Sequence, residues 1–548
     1  MTNREIAKKI NMLAKLMELH DENPFKIKSY SSAYLNIRKQ PVEFSSLDEA
    51  GLNSIQGIGV TISTKILELI NTGELQDLNN YLEKTPEGIV EMLNIKGFGP
   101  KKIKLIWKEL EIETIGELLY AINENRLVDL KGFGTKTQAS VKEQLEYFLE
   151  SSDKHLYANI VDNANDFLIE IKSAFPEFKS MLTGEIHQKR TIVSSIEILT
   201  TAPENEVQSF CLEHEKIQGG KEFILDNCLL GFVHTNNEDF YFDLVKSSTH
   251  FSFYDSLGLA KNKFNSEEEV FTKNKKPFYI PEFREEENVE HINQYVGPQN
   301  IISESNIKGT IHNHSTYSDG VNTIDAMIAA ADKKGYEYFV LTDHSKSAFY
   351  ANGLSNERIY QQLDEIKEVD QRYDNIRLFS GIESDILSNG DLDYTDDVLG
   401  DLDVIVASIH SNLKMDIEKA TTRLIRAIEN PFTSILGHPT GRLLLSRKAY
   451  PIDHKKVIDA CADNFVAIEI NANPLRLDMD WRWIQYALDK DVLFSINPDA
   501  HSIKGLDDMY FGVCAARKGG LPISHCLNAF DLEAFEDWMA EQHEKRGF

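Results

Sequence analysis

The sequence predicts a multidomain protein with an α-helical N-terminal region, an α+β middle and a C-terminal α/β barrel of seven strands. Three observations carry that reading. A Gly-apolar-Gly pattern recurs three times before residue 150, each copy opening an amphipathic helix. After residue 305, seven short apolar runs alternate with helical patterns, and such alternation implies a parallel sheet. Between these blocks the periodicity is mixed, with candidate strands around 192–199, 230–234 and 239–245. The 548 residues suffice for roughly three or four domains. The expected divisions are 1–85, 86–152, 153–290 and 300–548.

A hydrophobic content of 42% and a charged content of 26% describe an ordinary globular composition. The opening MTNREIAKKINMLAKLMELHDENPF is charged and amphipathic, unlike the apolar core of a signal peptide. No stretch approaches the ~18 apolar residues of a membrane span. Cys211, Cys228, Cys461, Cys514 and Cys526 form no CxxC pair and are odd in number, so free thiols and a cytoplasmic location are expected. The formal charge of −29 argues against indiscriminate binding to polyanions. It directs attention to local basic islands and to carboxylate-rich metal sites.

The N-terminal repeats are IQGIGVTISTKILELI (55–70), IKGFGPKKIKLIWKEL (95–110) and LKGFGTKTQASVKEQL (130–145). Their glycine pairs, Gly57/Gly59, Gly97/Gly99 and Gly132/Gly134, allow a tight turn whose N–H groups can face a phosphate at a helix N-terminus. Basic residues cluster there: Lys65 in the first copy, Lys101, Lys102 and Lys104 in the second, Lys136 in the third. The repeats resemble helix-hairpin-helix motifs. That resemblance implies backbone contacts to DNA without sequence reading.

In the middle block, TGEIHQKRTIVSSIEIL (183–199) reads as a strand from Ile192 onward. Ile192, Ser194, Ile196 and Ile198 share one face, and Ser195 and Glu197 the other. The stretch 262–292 is polar, charged and punctuated by Pro277 and Pro281, and reads as a linker.

The last block is the most informative. Its seven runs span 309–315, 338–345, 376–384, 404–410, 433–440, 465–473 and 492–501, and each ends in polar residues. In a closed parallel barrel, functional residues gather at the C-terminal ends of the strands. Those ends supply His312, His314 and Asp319, then His344, Glu383, His410 and His438, and finally Asp499 and His501. Six of the 16 histidines fall in these positions, which coincidence does not explain. Nine ligands are too many for one ion, so two or three divalent metals are implied. Mixed imidazole and carboxylate donors suit manganese, zinc or iron better than calcium. Such clusters support phosphoryl displacement. Arg442 and Arg476 are candidates for holding substrate phosphates. No catalytic residue beyond the metal site is expected, and Glu469, outside the ligand pattern, reads as structural.

The motifs HNHSTYSDG, TDHS, GIES, SIH, GHPTGR and PDAH resemble the full set of the polymerase-and-histidinol-phosphatase (PHP) family. The resemblance implies a (βα)7 barrel with a trinuclear metal site. The runs GYEYFVLTDHSKS, GHPTGRLL and NANPLRLDMDWRW, together with HDENPFKIKSYSSAYLNI and PFYIPEFRE, are similar to bacterial family X DNA polymerases along most of the chain. By that likeness residues 1–85 are a small DNA-binding domain, the next segment the fingers, and the middle block a polymerase-like palm. The PHP domain of such enzymes removes nucleotides from 3′ ends, and in some members cuts at abasic sites.

The palm of that family places Gly-Ser and a basic pair ahead of an Asp-x-Asp strand. Here Gly184 is followed by Glu185, His187 and Gln188 stand for the basic pair, and Ser195 and Glu197 for the aspartates. Asp243 is the candidate third carboxylate. Serine cannot bridge two metals, and Glu185 repels a triphosphate. The expectation is a DNA-binding, metal-dependent 3′–5′ exonuclease with polymerase activity lost, favoured as a monomer. The alternatives are an active polymerase, a phosphatase of small phosphomonoesters and a DNA-binding scaffold. Lys65 also stands where some family members carry a Schiff-base amine.

Overall fold

The computed structural model describes all residues except 41, 96, 124–126, 128–129, 131–132, 152–153, 215–216, 219–221, 446 and 548. Contacts divide the chain into two units, Met1–Ser152 and Asp153–Phe548. No helix among the described residues is long and apolar enough to cross a membrane.

The first unit is helical throughout its described residues. Helix α1 (Asn3–Leu19) starts in a capping box between Thr2 and Glu5 and buries Ile6, Ile10, Leu13 and Met17 at helical spacing. Helices α2 (Val60–Thr72), α3 (Pro100–Leu110) and α4 (Thr135–Ser151) follow the three glycine-pair turns. The turns are alike: the N–H of Ile58, Phe98 and Phe133 donates to the carbonyl of Ile55, Ile95 and Leu130, respectively. Each apolar residue inserted between the glycines is buried, which fastens the loop to the core.

The second unit opens with a five-stranded mixed sheet. Its strands are β1 (Ser180–Thr183), β2 (Ser195–Thr200), β3 (Ile217–Gln218), β4 (Phe223–Leu225) and β5 (Cys228–His234), in the order β1-β2-β5-β4-β3. Ser194 interrupts the expected strand, so Ile192–Val193 pairs separately with His155–Leu156. Two expectations fail here. The segment 239–245 is not a strand but lies in helix α5 (Phe240–Ser247), where Phe240 and Leu244 pack on Leu199 of β2. The segment 262–292 is not a linker. It folds into a short helix and 3-10 turns around Phe264, Phe271, Tyr279 and Phe283, with Arg284 fully buried among them.

The barrel strands are β6 (Gly309–Thr310), β7 (Tyr338–Leu341), β8 (Arg377–Asp385), β9 (Val404–Ser408), β10 (Ile435–Leu436), β11 (Ala467–Asn471) and β12 (Phe494–Asn497). They lie in sequential order, all parallel. All seven expected strands are present, most of them shorter at their polar ends. Past those ends the chain leaves the ladder. His438 and Asp499 adopt positive φ of 22° and 51°, the sparsely populated region that bends a side chain out of register. Closure falls to the ligand-rich segments themselves: Asn313 bridges Ala500, and the His314 N–H donates to the Ala500 carbonyl at 2.9 Å.

Candidate active site

The barrel mouth brings together all nine ligand-type residues read from the sequence. Glu383 lies at the centre, its oxygens 3.4, 2.7, 3.1 and 2.9 Å from His312, His344, His410 and His438. Asp499 lies 2.9 Å from His314 and 3.6 Å from His312. Asp319 is 3.2 Å from His501 and 3.6 Å from His344. Burial is graded. The side chains of His312 and His314 are fully buried, whereas those of Asp319 and His501 are 35% and 38% exposed. The site therefore has a closed floor and one open side.

Three groups could each hold a metal ion: His314, Asp319, His344 and His501; His312, His314 and Asp499; and His344, Glu383 and His410. The donor set fits such ions on a second count. His312 Nε2, His314 Nδ1 and His438 Nδ1 are buried without a hydrogen-bond partner, a costly state for atoms with nothing to coordinate. Electrostatics favour charged carboxylates. Burial opposes ionisation of Glu383, yet His410, His344 and His312 hold it well below the usual carboxylate range. Burial likewise opposes Asp499, which His312 and His314 pull down. Burial, with His501 and His344 alongside, takes His314 down to about 3.

Several side chains that orient this set were not legible as functional. Glu469, expected to be structural only, accepts from His312 Nδ1 at 2.7 Å and is itself held by Asn471 at 2.8 Å and Asn497 at 3.0 Å. Asp385 accepts from His410 Nδ1 at 2.5 Å. These carboxylates fix ring orientation and leave the opposite nitrogens facing the centre. Asp343 points away from the ligands and accepts from the Ser315 N–H (2.8 Å), the Ser315 hydroxyl (2.6 Å) and Gln362 (2.6 Å). It anchors the loop that carries Asp319.

The two arginines separate. Arg442 donates to the Arg476 carbonyl at 2.9 Å, to the Leu477 carbonyl and to Asp480, so it clamps a loop and is not a free phosphate ligand. Arg476 stays at the site, 3.7 Å from Asp499, and remains a candidate.

In the five-stranded sheet, Ser195 and Glu197 share a half-buried face, as the sequence predicts. Gly184, at φ +60°, lies against Glu197; a Cβ there would meet Glu197 Oε2 at 1.9 Å. Glu185 is turned inward, accepting from the Ser194 N–H at 2.6 Å and pairing with Arg190 at 3.3 Å. His187 pairs with Glu267 at 3.1 Å, and buried Gln188 donates to the Arg284 carbonyl at 3.0 Å. Asp243 sits on a helix and accepts from Thr235 at 2.5 Å. Glu185, His187, Gln188 and Asp243 are thus bonded to their own scaffold.

The glycine-pair loops remain open. Gly57 and Gly97 have φ of +83° and +79°, and a Cβ at Gly59, Gly99 or Gly134 would touch nothing within 4 Å. Glycine offers no side-chain cap, which leaves the first N–H groups of α2 and α3 available to an anion. The first loop lines a groove of about 850 Å³ with Phe25, Lys28 and Val60. Gly132 lies outside the described residues. Lys101 and Lys136 are exposed, and Lys102 lies over Phe133. Two lysines depart from expectation. Lys65 is paired with Glu68 (3.1 Å) and Asp77 (3.0 Å), and Lys104 with Asp21. Burial lowers the Lys65 pKa, but its pairing with Asp77 and Glu68 raises it further, which favours the charged amine over the neutral form a nucleophile needs.

Fold and site together define a PHP-domain protein preceded by helix-hairpin-helix elements. Comparisons with known proteins agree: residues 1–75 match the helix-hairpin-helix domain family, and residues 310–473 the PHP domain family. Across 571 aligned positions, covering 98% of this chain and 99% of the relative, it is 31% identical to the DNA polymerase/3′-5′ exonuclease PolX of Bacillus subtilis (strain 168). The chain belongs to the PolX family. A stretch of 166 residues is 32% identical to a probable phosphatase of Thermoanaerobacter sp. (strain X514), covering 29% of this chain and 62% of that protein. A probable phosphatase of Caldanaerobacter subterraneus subsp. tengcongensis is 29% identical over 165 residues, covering 29% and 60%.

Proposed function

We propose that this protein is a DNA-binding, metal-dependent phosphodiesterase that removes nucleotides from 3′ ends, and that it no longer polymerises. One observation supports the reading: the barrel leaves buried imidazole nitrogens without partners around an open mouth, whereas Glu185 and His187 of the palm-like segment are tied to their own scaffold. Divalent metals held by the nine residues would supply Lewis-acid stabilisation of phosphoryl transfer and a nucleophile at neutral pH. The protein's own groups do the rest. Glu469 and Asp385 hold His312 and His410 in one orientation. Asp343 fixes the loop of Asp319, so the open side of the mouth keeps its shape. Arg476 offers a guanidinium to the non-bridging oxygens of a phosphodiester. The hairpin loops, with Lys101, Lys102 and Lys136, hold the DNA backbone through N–H groups and charge.

The likeness to probable phosphatases gives a second reading, hydrolysis of small phosphomonoesters. The helix-hairpin-helix match favours DNA. Purified full-length protein is incubated with 3′-labelled gapped DNA and manganese or zinc, with and without deoxynucleotides. The expected result is label release by wild type, none by His314→Ala, and no extension. Equal release by both proteins sinks the nuclease reading. Extension that Asp243→Ala abolishes would restore polymerisation.

A further inference from the structure

Phe349 is 89% exposed, the highest exposure among the large apolar side chains described. It sits at the tip of the loop that follows β7, immediately after the ligand-type His344. The chain leaves the barrel at His344 and returns at Leu354, whose N–H donates to the His344 carbonyl at 2.9 Å. The loop is not loose. Ser345 N–H donates to the Glu383 carbonyl at 3.0 Å, and Ser347 donates to Asp393 (2.7 Å) and Asp385 (2.6 Å). Asp385 in turn holds His410. On its far side, Asn352 donates to the Tyr317 and Ser318 carbonyls at 3.1 and 3.4 Å, the two residues before Asp319. The loop is thus braced to the open side of the mouth, and its aromatic tip is left unpacked.

Burying a phenyl ring stabilises a fold, and here that contribution is forgone on a loop braced from both sides. Arg476, the remaining phosphate candidate, follows β11. In a closed ring of seven strands β11 lies four strands from β7 one way and three the other, so Arg476 and Phe349 follow strands on opposite sides of the ring. A nucleotide whose phosphate lies between the central carboxylates and Arg476 would carry its base towards the opposite rim. Aromatic faces on such rims accept any base, because every base presents a π-face.

We propose that Phe349 is a base-stacking residue of the barrel site, holding the base of the 3′-terminal nucleotide. This rests on the exonuclease reading and adds how the substrate is gripped without regard to base identity. The test uses full-length protein and two 3′-labelled oligonucleotides, alike except that one ends in a nucleotide and the other in a tetrahydrofuran abasic residue. Phe349→Ala is expected to lower kcat/KM on the base-bearing end about 10- to 100-fold, mainly through KM. The same variant should act on the abasic end as wild type does, and Phe349→Trp should restore the base-bearing activity. Unchanged kcat/KM on the base-bearing end, or equal loss on both ends, overturns the stacking role while the exonuclease reading stands. A wild type that releases label from neither oligonucleotide overturns both.

Discussion

The five-stranded sheet and the barrel both present carboxylates and imidazoles on a sheet framework, yet they treat them oppositely. In the sheet, polar valences are consumed. Glu185 takes the Ser194 N–H and Arg190, His187 takes Glu267, and Arg284 joins Glu267 to the Tyr279 carbonyl. Lys518, on barrel helix α6 (Met509–Lys518), is 2% exposed and donates to the Gln188 carbonyl at 3.1 Å and to Glu285 at 2.6 Å. At the barrel mouth, the buried ring nitrogens His312 Nε2, His314 Nδ1 and His438 Nδ1 remain without partners. Residue type alone does not separate the two regions; unspent coordinating capacity does. A buried network satisfied from within is scaffold.

That contrast can be broken most sharply at Glu383. Glu383→Gln should cut label release from DNA by at least about 10²–10³-fold and lower bound metal measured by mass spectrometry, with circular dichroism unchanged. Normal release from a folded variant would mean that the unpartnered atoms are incidental. The mirror experiment lies at Arg284, which is fully buried beside Glu267 at 2.6 Å. Arg284→Met leaves that carboxylate with His187 as its remaining partner and should cost about 3–5 kcal/mol in denaturant unfolding, without a direct effect on hydrolysis in the folded fraction. A loss below about 1 kcal/mol would show that the network is not what locks this region.

A smaller effect separates orientation from coordination. Glu469→Gln keeps the shape but weakens the hold on His312, so metal affinity should fall about 10- to 100-fold and excess manganese should rescue activity. Failure of rescue would make Glu469 part of the chemistry itself. The smallest effect is expected at Glu197, whose pKa is raised by burial and by Glu185. A carboxyl raised in the folded state stabilises below its ordinary 4.5 and costs stability as pH climbs through the folded value. Glu197→Gln should therefore stabilise by no more than about 1 kcal/mol at pH 7, lose that gain near pH 4, and leave hydrolysis unchanged. A fall in hydrolysis would return the palm to the list of working sites.

The seven strands and the nine candidate ligands were legible because both follow from local pattern. Apolar runs that end in polar residues mark strands, and parallel topology then sends every polar end to one mouth. What was illegible depended on partners far away in sequence. Phe240, Phe242, Leu244 and Val245 looked like a strand because helix α5 buries more than one face, which blurs its period. The segment 262–292 looked like a linker because its aromatic residues stand among charges, and only folding shows that Arg284 and Glu267 neutralise each other inside.

The sequence by itself determined the order of elements, the glycine turns and the residue types at the candidate sites, since each is written in neighbouring residues. Tertiary structure alone decided which charges are spent. Lys65 and Lys104 proved paired, Arg442 clamped and Arg476 left at the mouth. It also decided that Glu469, 157 residues from His312, aims that ring. The physical reason is range. Backbone geometry and hydrophobic periodicity act over a few residues, whereas a hydrogen bond or ion pair depends only on distance in space.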